Sequence, residues 1–115
     1  GHAAGDAMLR RIGEVLTKAI ESPSCAARIG GDEFIVLLPA TDERGALLVQ
    51  ERILSMLELN NQFYPGQTIH VAMGAACGYE GDSMEAVVHR ADQAMYAEKI
   101  RFYQSRKIDR RMNSV

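Results

Sequence analysis

Apolar residues near the start of the chain recur at helical spacing. Met8, Leu9, Ile12, Val15, Leu16, Ala19 and Ile20 share one face, which predicts an amphipathic helix over residues 6–21. Pro23 stops it. The period then changes. Residues 25–29 can run as a short strand, and Phe34-Ile35-Val36-Leu37-Leu38 is the continuous apolar run expected of a strand buried on both faces. Gly30-Gly31 between them predicts a tight hairpin turn, because glycine reaches positive φ without steric cost.

Helical spacing returns after Pro39. Thr41 and Asp42 can cap a second helix, with Asp42 and Glu43 favourable in its first turn. Its inner face is Ala46, Val49, Ile53, Met56 and Leu57, and it ends near Asn60-Asn61. Tyr64-Pro65-Gly66 is a turn. Residues 68–77 alternate, with Ile69, Val71, Met73, Ala75 and Cys77 on one face, so a third strand is expected. Gly74 inside it signals close packing or a bulge. Asp82 with Glu85 three places on resembles a capping box. Met84, Val87, Val88, Ala91, Ala94 and Met95 then face inward on a third helix running to about Tyr103. Beyond it the chain turns basic and loses its period, so residues 104–115 are expected to fray. The order helix, hairpin, helix, strand, helix implies an α+β fold, one sheet with helices packed on it.

Composition narrows the function. The 115 residues suit one small domain, and a hydrophobic fraction of 47% is enough for a core. A net charge of -2 argues against a bulk nucleic-acid binder. No apolar run approaches a membrane span and no signal peptide is visible, so no membrane insertion is expected. Cys25 and Cys77 lack metal-ligand spacing and read as buried reduced thiols, which suits the cytoplasm. His2, His70 and His89 form no pattern for a catalytic triad or a zinc site.

The chemistry gathers at the hairpin. The glycine turn lets a phosphate approach the backbone. Asp32 and Glu33 beside it could hold a hard cation through oxygen. Spacing alone favours a plainer reading, a common hairpin whose acids are solvated.

Resemblance changes that balance. Gly30-Gly31-Asp32-Glu33-Phe34 matches letter for letter the signature of the GGDEF family of diguanylate cyclases, with Arg28 two places before it and Leu38-Pro39 after it. Gly1-His2-Ala3-Ala4-Gly5-Asp6-Ala7-Met8-Leu9 resembles the family's Gly-His-x-x-Gly-Asp-x-x-Leu segment. Ala72-Met73-Gly74 falls where the family has Ser-Ile-Gly. Residues 91–99, Ala-Asp-Gln-Ala-Met-Tyr-Ala-Glu-Lys, resemble its Ala-Asp-x-Ala-x-Tyr-x-x-Lys helix.

The resemblance implies a nucleotidyl-cyclase-like fold with a ferredoxin-like core, and a GGDEF domain spanning residues 1–115. It implies an enzyme that condenses two GTP into cyclic di-GMP and pyrophosphate on two domains meeting face to face, with Mg2+ or Mn2+ at the phosphates. Carried over, Gly30 and Gly31 approach the phosphates. Asp32 and Glu33 supply metal ligands and the general base, with those roles left undivided between them. Asp6 reads the guanine edge and Lys99 contacts the triphosphate. GTP, a homodimer partner and a fused sensory or regulatory domain upstream are the implied partners in a bacterial signalling protein. Asp92 is expected to be structural.

Three departures follow. The family's first strand, with its Asp-x-Asp-x-Phe-Lys-x-x-Asn-Asp pattern, does not precede Gly1, so this stretch alone is expected to be inactive. Lys99 is followed by Ile100-Arg101-Phe102-Tyr103 rather than Gly-Arg-Asn, which displaces a second basic phosphate contact; Arg101 is a candidate substitute. Where many relatives carry an inhibitory Arg-x-x-Asp, this chain has Glu21-Ser22-Pro23-Ser24, whose acid cannot grip a phosphate. An alternative is therefore a non-catalytic GGDEF-type module that binds GTP or cyclic di-GMP and regulates a neighbour. A ferredoxin-like RNA-binding domain would need exposed aromatics on its strands, where this chain has mostly aliphatic residues.

Overall fold

The computed structural model describes the backbone of residues 2–31 and 33–113, and all their side chains except those of His2, Ala4 and residues 106–113. Three helices and one hairpin follow in the order α1 (His2–Ala19), β1 (Cys25–Gly30), β2 (Glu33–Leu37), α2 (Glu43–Gln62) and α3 (Met84–Asn113). The α+β class stands as expected. The chain divides into two compact units, residues 1–70 and 71–115.

In the first unit the core lies between α1 and α2. Val15, Leu16 and Ala19 from α1 meet Ile53 and Leu57 from α2, and Ile69 completes the cluster at 2% exposure. Those helical residues are ones the periodic pattern singled out. Asp42 caps α2, its carboxylate accepting from the Gly45 amide at 2.8 Å. That contact satisfies one of the open N–H groups of the first turn.

Arg11 is the buried charge of this unit among the described residues, at 5% exposure. Its Nε donates to Asn60 Oδ1 at 2.8 Å, and its two Nη atoms donate to the Gln67 carbonyl at 2.7 Å and Asn61 Oδ1 at 2.9 Å. The guanidinium also lies 4.0 Å from the centre of the Tyr64 ring. One side chain of α1 thus pins the end of α2 and the turn that follows.

The strands are β1 and β2 alone among the described residues, paired antiparallel. The third strand expected over residues 68–77 does not form. Alternation supplies a strand's side chains, but a strand also needs a partner for its backbone. Here Asn61 takes both backbone groups of Ile69, accepting from its N–H at 2.9 Å and donating to its carbonyl at 3.0 Å. The Cys77 carbonyl accepts from Arg90 at 2.8 Å. Side chains have occupied ladder positions at both ends of the segment.

Burial corrects two further expectations. Phe34, Ile35 and Val36 are half-buried and Leu37 is exposed, so β2 is not buried on both faces. A single two-stranded ribbon has too little cover for that. Cys25 is exposed rather than buried, because β1 is exposed along its whole length; Cys77 is intermediate.

In the second unit, Gly74 lies flush against α3. A Cβ at this position would overlap the Met95 backbone nitrogen and the Ala91 carbonyl oxygen. Close packing, one of the two readings of this glycine, is what the structure has. The start of α3 differs from expectation. Ser83, not Asp82, occupies the capping position, its Oγ accepting from the Ala86 amide at 3.1 Å. Asp82 instead accepts from the Tyr79 amide at 2.9 Å and pairs with Arg90 at 2.8 Å. The Arg90 hydrogen bond, helped by the Tyr79 amide, holds the Asp82 carboxyl below its ordinary value of 3.8. The helix itself continues past Tyr103 to Asn113.

Candidate functional site

The glycine turn is built by the hairpin. Cys25 pairs with Leu37, Ala26 with Val36, Ala27 with Ile35 and Arg28 with Phe34. The register then shifts, and Gly30 pairs with Glu33. The shift leaves Ile29 as an extra residue, a bulge one step from the tip. Gly31 turns the chain in the left-handed region at φ +48°, where a side chain would be strained. A Cβ added at Gly30 or Gly31 would meet nothing within 4 Å among the described residues. Among those residues the ground in front of both glycines is open, as a phosphate approach requires.

Glu33 opens β2 directly after the turn and is exposed. Asp32 lies outside the described residues. Gly30, Gly31 and Glu33 are therefore the predicted site residues that the structure brings together. Asp6 is exposed on α1, beyond its first turn, and no hydrogen bond or ion pair among the described residues links it to the hairpin. Lys99 is exposed on α3, in the second unit. Arg101, the candidate substitute contact, pairs with Glu98 at 3.2 Å on the same helix, both side chains exposed. Asp92 is exposed on α3.

Among the described residues no group of three or more His, Cys, Asp or Glu side chains comes together as a metal centre. The donor present still suits a hard cation. A carboxylate oxygen is the ligand magnesium prefers, and magnesium sites often take one or two carboxylates with the rest from phosphate and water.

Two contacts at the hairpin and core escaped the sequence reading, which noted Arg28 only as a flank of the signature. Arg28 donates from Nε to the Gly31 carbonyl at 2.8 Å. Arg11 had no visible signal, because it sits one step from the apolar stripe and its partners lie about fifty residues away. A contact to a carbonyl three places on, or to two distant amides, leaves no periodic mark.

Residues 1–102 match the protein-family profile described as "Diguanylate cyclase, GGDEF domain". The chain belongs to the GGDEF domain family. Over 86% of its length this GGDEF domain is 35% identical to "Diguanylate cyclase A" of Treponema denticola, and it covers 28% of that protein. It is 37% identical to "Diguanylate cyclase DgcP" of Pseudomonas aeruginosa over 86% of the chain and 15% of the relative. It is 32% identical to "Response regulator PleD" of Caulobacter vibrioides, again over 86% of the chain, and covers 23% of that protein. The chain thus spans less than a third of the curated relatives it matches. GGDEF diguanylate cyclases are generally metal-dependent. No helix among the described residues is long and apolar enough to cross a membrane.

Proposed function

We propose that this GGDEF domain serves a diguanylate cyclase that joins two GTP into cyclic di-GMP and releases pyrophosphate. The observation that carries the reading is the unbroken Gly30-Gly31-Asp32-Glu33-Phe34 signature on a hairpin whose glycines face open ground and whose Glu33 is exposed. The phosphates of GTP approach the backbone at Gly30 and Gly31. Asp32 and Glu33 hold the cation, magnesium or manganese, through carboxylate oxygens. A bound cation neutralises charge developing on the phosphates. A carboxylate oxygen of this pair takes the proton of the 3′-hydroxyl as its oxygen bonds to the α-phosphorus and pyrophosphate departs. Asp6 accepts from the guanine edge, and Lys99 offsets triphosphate charge.

Because each hydroxyl attacks the nucleotide of the opposite domain, the working unit is a homodimer. A fused input domain would set how often the two domains meet, within a cytoplasmic signalling protein. The complete protein tests this directly. Glu33→Gln keeps the shape and removes the charge, and should lower cyclic di-GMP synthesis by about two orders of magnitude or more. Near-normal synthesis would sink the assignment of Glu33.

A second reading, a regulatory module that binds nucleotide without turnover, draws support from the segment after Lys99, where Ile100-Arg101-Phe102-Tyr103 replaces Gly-Arg-Asn. GTP turnover by the complete protein separates the two.

A further inference from the structure

We propose that Arg28 is a positioning residue for nucleotide binding, holding the glycine turn in the shape that meets the phosphates. The inference rests on the phosphate role assigned above to Gly30 and Gly31. It starts from a weakness in the hairpin. Regular pairing ends at Arg28 and Phe34, and the shift at Ile29 breaks the ladder just before the tip. A bulge leaves its extra residue unpaired and bends the strand. The turn beyond is glycine-rich, and glycine has the most backbone freedom to lose. Ladder bonds alone would leave the tip loosely held.

Arg28 spans that gap. Its Nε–H reaches from the last regular pair to the Gly31 carbonyl at 2.8 Å. A charged donor to a carbonyl is stronger than a neutral one. Holding that oxygen fixes the peptide plane leaving Gly31, the residue in the left-handed conformation. The guanidinium is planar, so engaging Nε also fixes the direction of the whole group. A permanent positive charge is thereby held at the Gly31 carbonyl, on the turn assigned above to the phosphates. Lysine offers charge but no Nε and no plane.

The test uses the complete protein carrying this domain, titrated with a non-hydrolysable GTP analogue, while cyclic di-GMP formation from GTP is followed in parallel. Arg28→Ala and Arg28→Gln should each weaken analogue binding about tenfold, with the melting temperature held. Arg28→Lys should stay closer to Arg28→Ala than to the parent, and ethylguanidinium added to Arg28→Ala should restore part of the binding. Equal binding by the parent and Arg28→Ala overturns the proposal, as does full recovery with lysine. If Arg28→Ala does not fold, Arg28→Lys decides alone, with parent-like affinity overturning the idea. A parent that binds the analogue but makes no product removes the proposed reaction and leaves this inference to the binding data. A parent that does not bind it removes both.

Discussion

Arg11 carries its charge into the first unit, and no carboxylate among the described residues pairs with it. Neutral oxygens of Asn60, Asn61 and Gln67 and the Tyr64 ring take that place. Replacing it by methionine keeps bulk but strands the Asn60 oxygen and the Gln67 carbonyl. Arg11→Met should cost on the order of 3 kcal/mol, read as a lower denaturation midpoint. Asp82 behaves differently, since its contact is at the surface and answers to pH. Its folded-state value is depressed, so its stabilising contribution is present above the ordinary value of 3.8 and is lost as pH falls through the lower folded value. Asp82→Asn should therefore lower stability most near neutrality, where the contribution is fully present, and flatten the acid limb below 3.8, so that variant and parent converge at low pH. An unchanged acid limb in melts from pH 5 to pH 2 would show that the Arg90 contact does not form in solution.

Among the elements, the helices were the most legible. The stripes through Val15, Leu16 and Ala19 and through Ile53 and Leu57 became the buried core, because a helix supplies its own backbone partners and needs only a face to bury. The hairpin was legible for a related reason, its turn being local and marked by Gly30-Gly31. Residues 68–77 were misread because a strand's partner is not written in its own alternation. The glycine turn was legible as a contiguous word, Gly30-Gly31, whereas the reach of Arg28 across a bulge was not. Gly74 gives this scale its test. An added methyl would meet backbone atoms of α3, which cannot move as a side chain can. Gly74→Ala should destabilise by about 3 kcal/mol or more. Hydrogen exchange of the α3 amides around Ala91–Met95 should rise with it. Unchanged exchange there would mean the helix does not rest on this glycine.

At the scale of the whole molecule, a reaction that needs two domains face to face should depend on their meeting. In the complete protein, specific activity should rise with protein concentration until the dimer saturates. A constant specific activity across a thousandfold dilution below the dimer's dissociation constant would argue for a single-domain mechanism. The Arg11 contacts carry a different consequence for the first unit. Ionic strength weakens attraction between exposed opposite charges, but it screens little where a buried ion is held by neutral dipoles rather than by a counter-charge. The joint between α1 and the end of α2 is therefore built to ignore salt. Added sodium chloride should loosen the Arg90–Asp82 clasp at the mouth of α3 while leaving this joint as tight as before.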